Sequence, residues 1–201
     1  MNTVQPIRDL DALGRCYAIA REHDRKARRN EACWEALLEI GFNTGLRVSD
    51  FRLFKVDDLR GKQSVALRAK KTGKEASFRL NQDTVRALKT LLAGRKGDEY
   101  VFQSREKDMV TGQGRPLSRQ RIYQIINHIA REAGIEEKIG CHTLRKTFGY
   151  HHYQENRDAV TLMNLFGHAG MDVTLRYIGI TQDKINESTE NLRILSGRNY
   201  K

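Results

Sequence analysis

The sequence predicts a mainly α fold carrying a small antiparallel β-sheet. Apolar residues recur at helical spacing through most of the chain. Only residues 64–80 alternate, on both sides of a Thr-Gly. There are just two prolines, Pro6 and Pro116, so few breaks are forced on the helices. The 201 residues are 39% apolar, enough for one compact domain or at most two small ones.

Taken in order, segment 8–22 places Leu10, Leu13, Tyr17 and Ala20 on one helical face, and 31–42 does so with Trp34, Leu37, Leu38 and Gly41. The basic stretch REHDRKARRN between them reads as a solvated turn. In SVALRAKKTGKEASFRL, Val65 and Leu67 precede the turn and Phe78 and Leu80 follow it, giving a β-hairpin with a basic tip. A helix at about 82–93 carries Val85, Leu88, Leu91 and Leu92. A short apolar stretch, EYVFQS, and a Gly-rich loop, TGQGRP, come next. Ser118 is the expected N-cap of a helix bearing Ile122, Ile125, Ile126 and Ile129, and Gly134 its expected end. Further helices are expected around 143–154, 158–166 and 183–195.

Lys and Arg number 36 against 25 Asp and Glu, a formal net charge of +11. Such a surplus favours a polyanionic partner, nucleic acid first. No apolar run approaches a membrane span, and MNTVQPIRDLDAL lacks the organisation of a signal peptide. The three cysteines, Cys16, Cys33 and Cys141, are far apart with no CxxC, which fits a reduced cytoplasmic compartment rather than a disulfide framework. No Cys/His pair has zinc-ligand spacing and no HExxH is present, so no metal is expected.

Four segments hold residues suited to chemistry on a phosphate. In NTGLRVSD, Arg47 and Asp50 would share a helical face, so that a carboxylate could present a planar guanidinium. In RAKKTGK, a lysine on a tight turn could deliver a charge or a proton. In CHTLRKTFGYHHY, His142 and Arg145 are one helical turn apart and could hold adjacent oxygens of one phosphate, while Leu144 and Phe148 face the core. In LFGHAGMDVTLRYIGI, Tyr177 follows His168 by nine positions. Taken singly, each has an ordinary structural explanation: a surface ion pair, a soluble turn, a chance His-x-x-Arg, a packing tyrosine.

Their order is more informative. TGLRVSD, KKTGKE, HTLRKTF and FGHAGMDVTLRY together resemble the active-site boxes of the tyrosine recombinases, the phage integrase family, over about residues 36 to 180. Position by position, the resemblance implies six catalytic residues: Arg47, Lys71, His142, Arg145, His168 and Tyr177. Lys71 is chosen because it precedes Thr-Gly, as the family lysine commonly does; Lys70 and Lys74 remain open. Most members of the family carry a separate helical core-binding domain. Only about forty residues precede the first box here, so the expectation is a single catalytic domain over 1–201, either a naturally single-domain relative or a fragment.

The resemblance implies a site-specific recombinase or integrase that cleaves and rejoins double-stranded DNA through a 3′-phosphotyrosine. The alternatives are a DNA-binding regulator that has lost recombination and a topoisomerase-like nicking-closing activity. Tyr177 would be the nucleophile. Arg47, Arg145 and His168 would bind the non-bridging oxygens, His142 would move the tyrosine proton, and Lys71 would protonate the leaving 5′-oxygen. No cofactor is implied, since the phosphotyrosine conserves the bond energy. A homo-oligomer on DNA is expected through the C-terminal tail, where Ile185, Leu192 and Leu195 form a stripe. The expected location is the cytoplasm, at the nucleoid.

Overall fold

A computed structural model describes residues 4–27, 32–68 and 75–190, which form ten helices and two small antiparallel hairpins. No helix among them is long and apolar enough to cross a membrane. The mainly α architecture is as predicted, with two two-stranded sheets where the sequence shows one.

Helix α1 (Leu10–Lys26) starts at Asp9, whose carboxylate accepts from the backbone N–H groups of Asp11 and Ala12. Such a cap is worth about 1 kcal/mol. Its buried line is Ala12, Cys16 and Ala20, with Leu13 and Tyr17 at the margin, and Leu10 is exposed. The inward face is therefore rotated from the predicted one. Small side chains hold it, which suits close packing on the next helix.

That helix, α2 (Trp34–Thr44), is buried on nearly every side. It packs against α1, against α5 (Gln82–Leu91) and against α7 (Cys141–Asn156). A Cβ at Gly41 would lie 2.6 Å from Leu144 Cδ1 of α7, so the two helices can meet this closely only at glycine. Gly45 ends α2 at φ +63° and turns the chain to Arg47, which opens α3 (Val48–Phe51); α4 (Val56–Leu59) follows.

Strands β1 (Ser64–Arg68) and β2 (Glu75–Arg79) pair with Val65 opposite Phe78, the hairpin that the alternation predicts. Its tip, with Lys70, Lys71 and Lys74, lies outside the described residues. A second hairpin was not expected. β3 (Gln103–Lys107) pairs with β4 (Gly114–Pro116), built from the end of EYVFQS and the Gly-rich loop. QSREK is polar throughout and shows no alternation. The hairpin is held instead by its turn, where Asp108 Oδ1 accepts from Val110 and Thr111 N–H at 3.0 Å each.

Helix α6 (Arg119–Glu132) has its predicted cap, with Ser118 Oγ accepting from Arg121 N–H at 3.0 Å. Gly134, at φ +72°, lets Ile135 N–H reach back to the Ala130 carbonyl and closes the helix. After α7 come α8 (Ala159–Phe166), α9 (Met171–Ile178) and α10 (Ile180–Glu190). α9 lies outside the helices expected from the sequence; it has only eight residues between Gly170 and Gly179. α10 begins three residues before its expected start.

Most apolar side chains join one core around α2, α6 and Leu144. Each fully buried leucine or isoleucine there contributes about 1.5–3 kcal/mol. A smaller cluster, Leu162, Phe166, Ile178 and Ile180, joins α8, α9 and the start of α10. The N-terminal segment clasps this end. Ile7 N–H donates to Thr147 Oγ1, and Arg8 forks onto the Asp183 carboxylate.

Candidate active site

Five of the six sequence-predicted residues, Arg47, His142, Arg145, His168 and Tyr177, come together where α7, α8 and α9 meet the start of α3. The sixth, Lys71, is among the residues not described.

The organising group is a backbone carbonyl. Helix α8 ends at Gly167, in the left-handed region at φ +63°. There His168 N–H bonds the Met163 carbonyl at 3.0 Å. That closure fixes the backbone of His168, and the Gly-His pair is thus a helix C-cap and a functional side chain in adjacent positions. The Phe166 carbonyl, at the negative end of α8, accepts from Arg145 Nη2 at 3.0 Å and from Arg47 Nη2 at 3.4 Å. Two guanidinium groups are thereby drawn to one oxygen.

Arg145 also donates to the Gly45 carbonyl and lies 4.1 Å over the Phe166 ring. It is only 5% exposed and forms no direct salt bridge among the described residues, the nearest carboxylate influence being the Asp50 charge. Burial, and then the charge of Arg47, push its pKa down to about 10. Such a cation favours an anion brought against it. The expected Arg47–Asp50 pair does not form: Arg47 caps α3 with its backbone extended, and its side chain turns to Phe166 instead.

Tyr177 sits in the last turn of α9, next to fully buried Ile178. Its hydroxyl is 3.2 Å from His142 Nδ1. Its ring lies edge-on to His168, with centroids 5.1 Å apart. Burial raises the phenol pKa, and Arg145 and Arg47 offset only part of that rise. His142 is held below the ordinary histidine range by burial and then by Arg119, Arg145, Lys146 and Arg47. A neutral imidazole beside a buried phenol can accept its proton. His168 is likewise lowered, by burial, Arg145 and Arg47, and its Nδ1 is 3.0 Å from Thr174 Oγ1.

Two neighbours were not read from the sequence. Lys146 is 8% exposed, and its ammonium lies 5.1 Å over the Tyr177 ring. Thr174 is fully buried behind His168. Lys146 follows Arg145 directly but belongs to no spacing pattern. Thr174 matters only because α9 is a helix. Beyond His142, a cleft of about 800 Å³ is lined by Arg52, Arg105, Arg115, Arg119 and Arg121. Arg119 joins cleft and site, since its carbonyl accepts from Cys141 and its charge lowers His142.

The fold is that of a solved XerA recombinase, with a TM-score of 0.70 at 20% identity over 96% of this chain and 67% of that one. The chain belongs to the phage integrase family, whose model matches residues 15–184. It is 33% identical to the probable integrase/recombinase YoeC of Bacillus subtilis (strain 168), over 91% of this chain and 93% of that protein. It is 32% identical to tyrosine recombinase XerD of Listeria innocua serovar 6a, over 76% of this chain but only 52% of that protein, so it spans about half the length of that relative.

Proposed function

We propose that this chain cleaves and rejoins double-stranded DNA at a specific site through a 3′-phosphotyrosine on Tyr177. The observation that carries the reading is the Tyr177 hydroxyl, 3.2 Å from His142 and facing two guanidinium groups drawn to one carbonyl. The phenol oxygen attacks phosphorus and its proton passes to His142. The P–O5′ bond breaks, and the leaving oxygen takes a proton from Lys71. Arg145 and Arg47 neutralise charge that grows on the non-bridging oxygens, and His168 adds a hydrogen bond there. Rejoining is the same step reversed. The net charge of +11 and the arginine-lined cleft support duplex DNA as the partner.

The test uses a pool of nicked duplexes with a randomised centre, incubated with the protein and scored for detergent-resistant adducts. Adducts enriched in one sequence support site-specific recombination. Adducts spread evenly over sequence point to nicking-closing activity, and DNA retention with no adduct points to a regulator. Assembly on DNA is proposed to use the tail after the nucleophile. Removing residues 191–201 should leave the melting temperature unchanged and reduce multimeric complexes on a two-site duplex. Unchanged complexes would refute that role.

A further inference from the structure

Thr174 is one of the few fully buried polar groups. Its hydroxyl donates to the Gly170 carbonyl at 3.1 Å, the i−4 bond available to a threonine inside a helix. The same oxygen is 3.0 Å from His168 Nδ1. A hydroxyl has one proton to give. If it goes to Gly170, the Thr174 oxygen can only accept from the imidazole. His168 Nδ1 must then carry a hydrogen, and a neutral ring has its single N–H committed to Thr174, leaving Nε2 bare.

We propose that Thr174 is a positioning residue that locks neutral His168 in the Nδ1–H tautomer, so that His168 donates to a phosphate oxygen only as an imidazolium. The proposal rests on the phosphoryl-transfer reading above. Among the described residues, the charged groups facing His168 are Arg145, from α7, and Arg47, at the start of α3; both oppose a second proton on the ring. Among the described residues, the rings of Tyr177 and Phe166 also pack against it. A phosphodiester oxygen brought between these cations offsets their repulsion and accepts the new Nε2–H. Binding of the scissile phosphate and charging of His168 are therefore one linked event: one proton is taken from solvent, and one Nε2–H···O bond forms. A correctly placed phosphate thus builds its own last donor, and a misplaced one does not.

The first arm of the experiment needs no DNA. Imidazole ¹⁵N spectra of the free protein, above the His168 pKa, should show Nδ1 protonated in wild type and in Thr174→Ser. Thr174→Val should move His168 towards the Nε2–H form. A wild-type ring protonated at Nε2 would overturn the proposal, as would a serine variant that behaves like valine. The second arm is single-turnover cleavage of a duplex whose 5′-bridging oxygen is sulfur, so that no leaving-group acid is needed. Wild-type and serine rates should fall about tenfold per pH unit above the His168 pKa in the complex. The valine variant, able to donate from a neutral ring, should be slower near neutrality and lack that limb. An identical limb in valine would refute the proposal. Should the valine variant not fold, the wild-type spectrum and the serine variant still decide. Absence of any wild-type adduct would fail the phosphoryl-transfer reading itself, and the spectra are independent of that outcome.

Discussion

Gly149→Ala should misplace the nucleophile without touching a catalytic side chain. Gly149 is buried in the middle of α7, where an added Cβ would stand 2.6 Å from Ile178 Cγ2 and 2.9 Å from Phe166 Cε2 and Cζ. Ordinary contact begins near 3.4 Å, so Ile178 must retreat by about 0.8 Å and Phe166 by about 0.5 Å. Both are fully buried, and neither has room to rotate away. The retreat is therefore taken up by helix α9 and the end of α8, which carry Tyr177 and the Phe166 carbonyl. Overpacking costs about 1–3 kcal/mol, and alanine regains up to about 1 kcal/mol of helix propensity. A net loss of about 0–3 kcal/mol lowers the melting temperature by up to about 10 °C and leaves a folded protein. The Tyr177–His142 bond, already 3.2 Å long, would not survive a shift of this size. Misplacement of about 1 Å costs on the order of 10²-fold in rate. The assay is single-turnover adduct formation on a nicked duplex, with thermal denaturation alongside. Wild-type rate in a variant of unchanged stability would refute the claim that this packing positions Tyr177.

Lys71→Ala should slow cleavage of ordinary DNA strongly and cleavage of 5′-thio-substituted DNA little, because sulfur leaves without an acid. The same pattern in Lys70→Ala or Lys74→Ala, and not in Lys71→Ala, would reassign the acid. Glu39 is buried, and both Thr84 and Asn43 donate to its Oε2. Burial raises its pKa, so stability carried by the protonated form is present at acid pH and lost as pH rises through that elevated value. Glu39→Gln should then stabilise the protein at pH 8 by about 1 kcal/mol, or about 2–4 °C in melting temperature, with the gain vanishing towards pH 4. Melting curves that shift equally at both pH values would contradict the burial argument.

Much of the site could be read from the sequence because its residues lie in short motifs with rigid local geometry. Gly167-His168 is legible as a pair since the glycine closes α8 and the histidine follows it at once. His142 and Arg145 are legible because one helical turn separates them. Ser118 and Gly134 were found for the same local reason. What escaped depends on distant parts of the chain. The Phe166 carbonyl that draws Arg47 and Arg145 together has no side-chain signature. The close approaches at Gly41 and Gly149 are set by neighbours far along the sequence. The rotation of the α1 face follows from small residues meeting α2, where a count of leucines points to the other side. The β3–β4 hairpin is polar and held by one aspartate turn, so alternation could not reveal it.

The central claim is that Tyr177 forms the covalent bond to DNA, and peptide mapping of the adduct tests it most directly. The protein is trapped on a nicked duplex that lets the short 5′-hydroxyl fragment diffuse away, then digested with trypsin. Cleavage after Arg176 and Lys184 should place the nucleotide on residues 177–184, whose only tyrosine is Tyr177. Tyr177→Phe should give no adduct while retaining DNA, since phenylalanine keeps the packing on Phe166 and Ile178 and lacks the attacking oxygen. A nucleotide found on the peptide of Tyr150, Tyr153 or Tyr200, or an adduct that persists in Tyr177→Phe, would contradict the account and leave Tyr177 as a packing residue.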